Sequence, residues 1–155
     1  MRKLRSSLLI ILLSLYAIGL YSQEEQTLYF KDSTMVGKGV VVNQKKEGKW
    51  VIYNRNTKLT EIGNFTNNQR DGVWVLFTPS QVKLLELEYD DGHVNGKYKQ
   101  YYSDGSLYIS GFIESDSIKT GRWEERYNNG VLKSEGYYEN NMKNGSWKYY
   151  KDTSL

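Results

Sequence analysis

Beyond residue 22 the chain alternates short runs of aromatic and aliphatic residues with clusters of Asn, Asp, Gly and Ser, and few stretches are long enough to read as helix. One set of runs has the form KWVIYN, VWVLFT, KYKQYY and SWKYYK, and a second set reads LTEIGNF, LLELEY, LYISGFI and LKSEGYY. Aromatic and β-branched residues suit a pleated, half-buried surface, so both sets predict strands. The first set is followed by NRNT, TPSQ, SDG and NNG, which predict tight turns. After the second set come NNQRDG, DDGHVNG, ESDSIKTG and ENNMKNG, which read as longer polar turns. The chain is predicted to be a succession of β-hairpins.

The pattern recurs on an even pitch. Gly-x-aromatic triplets begin at Gly48, Gly72, Gly96, Gly121 and Gly145, spaced by 24, 24, 25 and 24 residues. Two residues after each glycine stand Trp50, Trp74, Tyr98, Trp123 and Trp147. Five after it stand Tyr53, Phe77, Tyr101 and Tyr150, while the fourth copy carries Arg126 there and Tyr127 one place later. Fifteen after it come Gly63, Leu87, Gly111 and Gly136, and seventeen after it Phe65, Tyr89, Ile113 and Tyr138. A degenerate first copy places Tyr29, Met35, Gly39 and Val41 in the same frame. The extra residue of the 25-residue interval falls most simply between Glu114 and Thr120. The fold class is therefore all-β, a solenoid-like elongated sheet of tandem β-hairpin repeats of about 24 residues, with four full copies and a final half copy in a domain spanning 23–155. A lone hairpin is marginal in water, so each must be covered by the next. Offsets two and five have opposite parity along a strand; either a bulge or one aromatic on each face satisfies the pattern.

The first 22 residues differ from the rest. Arg2, Lys3 and Arg5 precede an uncharged apolar run from Leu8 to Leu20, and small residues lead into QEEQ at Gln23. That is the layout of a cleavable signal peptide, and the run falls short of the roughly 20 residues needed to span a bilayer. The protein is therefore expected to be exported, to periplasm, cell surface or medium. Three of the 21 basic residues lie in the leader, leaving 18 against 18 acidic ones. A neutral, interspersed charge pattern argues against nucleic acid as a partner and lends no support to membrane binding. No cysteine is present, so packing and ladder hydrogen bonds must hold the fold.

Catalytic chemistry finds little to use. His93 is the single histidine and lies in a turn, and no zinc, Cys–His or Ser–His–Asp constellation accompanies it. Asp90, Asp91, Glu114, Asp116, Glu124 and Glu125 match no calcium-loop spacing, and the glycines recur singly rather than as a phosphate loop. The expectation is a protein that is not an enzyme and has no cofactor. The tyrosines carry the functional reading. Pairs such as Tyr101–Tyr102, Tyr137–Tyr138 and Tyr149–Tyr150 send one ring to each face of a regular strand. An outward row would form a rigid amphipathic surface, for which the candidate residues are Tyr53, Phe77, Tyr101, Tyr102, Tyr127, Tyr138 and Tyr150.

The pattern G-x-W-x-x-Y … D/N-G-x-L … G-x-Y … N-G resembles the bacterial MORN-repeat-variant family, and the resemblance covers essentially all of the chain after the leader. It implies an elongated sheet of successive hairpins without a catalytic centre; some bacterial members are labelled antitoxins, which a chain with an export signal does not match in kind. The leading expectation is a surface that binds another protein, with a cell-wall glycan-binding module as the alternative. Those two differ in geometry: a sugar site needs aromatics converging into a cage, and a protein site needs a broad row. Trp74→Ala is expected to destabilise the fold by roughly 3–5 kcal/mol, the range for removing a large core aromatic. An unchanged denaturation midpoint would show that the ring lies outside the core.

Overall fold

The computed structural model describes residues 24–29, 35–54, 56 and 58–153; the predicted leader, residues 1–22, lies outside them. Among the described residues the chain forms eleven strands and no helix. These are β1 (Glu24–Tyr29), β2 (Met35–Val42), β3 (Lys45–Asn54), β4 (Leu59–Thr66), β5 (Gln69–Phe77), β6 (Lys83–Asp90), β7 (His93–Tyr101), β8 (Leu107–Glu114), β9 (Ile118–Arg126), β10 (Leu132–Glu139) and β11 (Met142–Tyr149). All eleven lie in one open antiparallel sheet, in chain order. The all-β hairpin architecture is thus as the pattern predicts. Successive hairpins meet edge to edge within a single layer, so each strand is covered by its neighbours in the plane rather than by a second sheet.

The two kinds of turn exchange the lengths that the sequence suggested. The supposedly longer polar turns are tight: only Asn43–Gln44, Asn67–Asn68, Asp91–Gly92 and Asn140–Asn141 lie between strands, and the rest of each polar segment belongs to the next strand. Both residues of each pair have positive φ, for example 52° and 72° at Asn67 and Asn68, the type I′ geometry that matches the twist of a hairpin. The connection between β8 and β9 holds three residues, 115–117. The supposedly tight turns are instead four or five residues long and are closed by bonds such as Thr78 N to Val82 O at 2.8 Å, Tyr102 N to Ser106 O at 2.8 Å and Tyr127 N to Val131 O at 2.8 Å. Asn and Asp do more than tolerate positive φ. The Asn68 backbone N–H donates to Lys46 O (3.1 Å) while its side-chain Oδ1 accepts from Lys46 N (2.6 Å). Asp116 brackets Val94 and Asn141 brackets Lys119 in the same way. Each of these turns is therefore clamped to the strand beyond its own hairpin.

Bulges set the position of the tryptophans. Ile62 pairs with Val75 and Asn64 with Asp71, so Gly72, Val73 and Trp74 of β5 lie against the single residue Gly63 of β4. Gly72 makes the bend with a φ of 65°. The Trp74 ring then falls across Gly63: a Cβ built there would lie 2.3 Å from the indole. The same clash would occur at Gly39 against Trp50 (2.4 Å), Gly111 against Trp123 (2.1 Å) and Gly136 against Trp147 (2.4 Å). The indole Nε1 of Trp74 donates to Asn64 O, directly after its glycine (2.9 Å), as Trp50 does to Val40 O and Trp147 to Tyr137 O (3.2 Å each). Trp123 differs, donating to Thr120 O at 3.0 Å. Where the glycine is replaced by Leu87, the residue that meets it is Tyr98, a smaller ring paired with Leu87 in register.

Gly63→Leu is expected to destabilise the protein by about 1–3 kcal/mol, the usual cost of overpacking a filled site. Adding Trp74→Tyr should recover part of that loss, because the pair then reproduces Leu87 and Tyr98. Chemical denaturation of the two single variants and the double variant measures the coupling; strictly additive losses would show that the glycine does not act by seating the indole.

Candidate binding surface

The parity problem of offsets two and five resolves into two faces. Tyr98 meets Trp123, whereas Tyr101, three residues later, lies on the other side with Lys83 Nζ 5.0 Å from its ring centre. On the first face the rings form a ladder. Trp50, Phe65, Trp74 and Tyr89 follow one another with centroids 5.8, 5.0 and 6.4 Å apart and ring planes at 71–84°. Tyr98, Trp123, Tyr138 and Trp147 form a second run at 5.5, 5.8 and 5.1 Å. Tyr98 is tilted at 35° to Trp123, and the other pairs meet edge-to-face, an arrangement that contributes about 0.5–1.5 kcal/mol per pair beyond the area buried. Cations close the ladder from above: Lys46 lies 3.9 Å over Phe65, Arg70 4.1 Å over Trp74, Lys119 4.6 Å over Trp123 and Lys143 4.2 Å over Trp147. Arg70 is also ion-paired with Glu61. Trp50, Trp74 and Trp123 are consequently only 1, 0 and 2% exposed, although the sheet is one layer thick.

The opposite face is open and divides along its length. One cross-strand row runs Val51, Ile62, Val75, Glu86, Lys99, Ser110, Glu124, Glu135 and Lys148. Over β3–β5 this row is apolar, and Tyr53, Val73 and Phe77 flank it; Val73 is 51% exposed. Over β6–β11 the row is charged except at Ser110, and its charges are paired. Lys99 lies 3.3 Å from Glu86, Arg122 lies 2.9 Å from Glu124 and 2.6 Å from Glu135, and Arg126 lies 2.7 Å from Glu124. Burial alone would raise the Glu86 carboxyl, but hydrogen bonds from Lys83 and Tyr101 hold it below the ordinary range. A hydrogen bond from Tyr150, then one from Arg122, does the same for Glu135. Among the described residues, every fully buried side-chain nitrogen or oxygen has a partner. No trio of His, Asp or Glu among them is placed to hold a metal ion.

The seven tyrosine and phenylalanine candidates separate into three groups. Tyr53, Phe77, Tyr101 and Tyr150 belong to the open face. Tyr102 and Tyr127 sit at the long turns, where their hydroxyls donate to Arg126 O at the end of β9 (2.7 Å) and to Tyr150 O just after β11 (3.0 Å). Tyr138 is a rung of the ladder between Trp123 and Trp147. Sequence reasoning passed over Val73, Phe112 and Tyr137, exposed by 51, 38 and 57% on the open face. It also passed over the capping cations, which recur two residues before the triplet glycines at Lys46, Arg70, Lys119 and Lys143; that spacing was the available signal. Comparison with protein-family models and with curated proteins returns no match for this chain.

One titratable contact links adjacent turns. His93 Nδ1 lies 2.8 Å from Asp116 Oδ2, and this hydrogen bond, then the Asp116 and Asp91 charges, raise the imidazole above its ordinary value. Asp116 is correspondingly lowered, first by His93 and then by the Val94 N–H. A raised folded value means that the contact's stabilisation is complete below the ordinary midpoint of 6.5 and is lost as pH rises through the folded midpoint. An NMR titration should therefore place the His93 midpoint above that of an unstructured histidine. Asp116→Asn should return it toward the reference value; a midpoint indifferent to that change would mean the pair does not persist in solution.

Proposed function

We propose that this chain is an exported, non-catalytic protein of tandem hairpins about 24 residues long, resembling the MORN-repeat-variant family, and that it acts by binding another protein. The observation that carries this reading is the apolar patch on the open face of β3–β5, formed by Val51, Tyr53, Ile62, Val73, Val75 and Phe77. Contiguous apolar surface on a soluble protein marks an interaction site, because leaving it in water forfeits the free energy of burying it. The patch is a broad row on a flat support, which suits a protein partner. A glycan cage would need free rings converging on one point, and the rings that converge here are the ladder rings, already covered by cation stems. The signal-like leader supplies the export part of the proposal, and the even pitch of the glycine triplets supplies the repeat.

The test is capture from native envelope extract with the chain from Gln23 onward, compared with a Val73→Asp/Phe77→Ser variant whose thermal unfolding matches the parent. One stoichiometric protein retained by the parent, and reduced about tenfold or more in the variant, is the expected result for loss of a central apolar contact. Retention of wall polymer without protein would transfer the assignment to a glycan-binding module. Equal capture by both chains would place the partner elsewhere on the molecule.

A further inference from the structure

Strands of a single-layer sheet pair only with their neighbours, so the sheet parts most readily at the junction whose contacts are fewest. That junction lies between β6 and β7. Among the described residues no ring contact joins Tyr89 of β6 to Tyr98 of β7, where one run of the ladder ends and the other begins. Elsewhere a cation spans the rings of two adjacent strands: Lys46 lies over Trp50 and Phe65, Arg70 over Trp74 and Tyr89, and Lys119 over Trp123 and Tyr138. Val94 holds the corresponding place in β7. The bend that aims each tryptophan also changes form there, with a φ of 152° at Gly96 against 62–68° at Gly48, Gly72, Gly121 and Gly145.

The long turns show the same gap. Lys58 Nζ donates to Pro79 O (3.0 Å), Ser106 Oγ lies 2.8 Å from Asn128 Oδ1, and Tyr127 OH donates to Tyr150 O (3.0 Å). Among the described residues no hydrogen bond joins Thr78–Val82 to Tyr102–Ser106. What crosses the junction is the backbone ladder, the Leu87–Tyr98 pair and polar contacts on the open face, Lys99 to Glu86 at 3.3 Å and Lys97 N to Glu88 Oε2 at 2.9 Å. Polar contacts within reach of water are exchanged for hydration when they open, so they resist parting less than buried rings do. The two sides are also unequal. The buried cluster of Trp50, Ile52, Phe65 and Trp74, with Val41 and Tyr89 packed on it, lies wholly within β2–β6. Beyond β6, Trp123 is the one buried hydrophobic residue among those described.

We infer that the sheet consists of two cooperative units that part between β6 and β7, and that β7–β11 opens while β1–β6 stays folded. The cause is local to four positions. Leu87 fills a seat, Tyr98 stands in for an indole, Ile113 for a ring and Val94 for a cation, so the interlocked ladder face is interrupted once and only there. Opening at that break withdraws the charged half of the open face and leaves the apolar residues of β3–β5 on their own folded support. The molecule thus carries a conformational joint within one continuous sheet, without a linker. This inference stands on the ladder face and does not depend on what the open face binds.

The experiment is native-state hydrogen exchange of the full chain in rising urea, read by mass spectrometry on peptides from each strand. The amides of β8–β10 are expected to exchange at least about tenfold faster than those of β3–β5, through a separate opening with a shallower urea dependence, because less surface is exposed when one half opens. Leu87→Gly combined with Tyr98→Trp copies the Gly63 and Trp74 pair into the junction and should bring the two openings together. The parent chain decides the matter by itself: a single opening shared by β3–β5 and β8–β10, with one urea dependence, would overturn the inference. So would a first opening located in β3–β5, or a β7 that exchanges with β3–β5 instead of with β8–β10. A folded double variant that keeps two separate openings would overturn the assignment of the joint to Leu87 and Tyr98.

Discussion

The structure depends on an indole lying on a glycine. A single-layer sheet has no second sheet to cover its aromatics, so the only surface available to bury a tryptophan is the backbone of the neighbouring strand. Gly39, Gly63, Gly111 and Gly136 provide that surface because they carry no Cβ, and the bulge at the preceding triplet glycine turns the next tryptophan toward it. The indole N–H of Trp50, Trp74 and Trp147 is then satisfied by the carbonyl just beyond the seat, so a large polar ring is buried without an orphan donor. Ladder contacts, cation caps and clamped turns all follow from where these rings are held.

The middle of the sheet shows the constraint by departing from it. Leu87 occupies a seat position, Tyr98 stands where the others have tryptophan, Ile113 replaces the ring two residues beyond the next seat, and Val94 replaces the capping cation. These changes belong together. A side chain in the seat excludes an indole, and a reduced ring stack leaves less π-surface for a cation to cover. The ring contacts accordingly fall into two runs, one ending at Tyr89 and the other starting at Tyr98, with Leu87 paired to both Trp74 and Tyr98 between them.

Closing one face leaves the other to act. The ladder face spends its aromatics and cations on one another, while the open face carries apolar residues over β3–β5 and mutually paired charges over β6–β11. The two regions differ in what they ask of a partner. Apolar surface gains from being covered, whereas Glu86, Glu124 and Glu135 already hold their cations and gain little from exchanging them. That asymmetry directs the functional proposal to the patch.

The sequence by itself determined the strand succession and the positions of the tryptophans along it, because period-two patterning and turn chemistry are local properties. It also set out the rings that recur at offsets two and seventeen, although nothing local says that Trp74 and Phe65 meet edge-on. Turn lengths escaped it: NNQRDG looks like one polar loop until Asn67 and Asn68 alone make the turn and Gln69 onward pairs with β4. Polarity marks solvent exposure, and edge residues of a single-layer sheet are exposed whether or not they are in a strand. Tertiary structure alone decided that Tyr138 is a rung while Tyr53 and Phe77 face outward, and that Val73 joins an apolar patch. Facing depends on how many residues each bulge inserts between neighbouring strands, and that number is fixed only when the indole finds its glycine across the ladder.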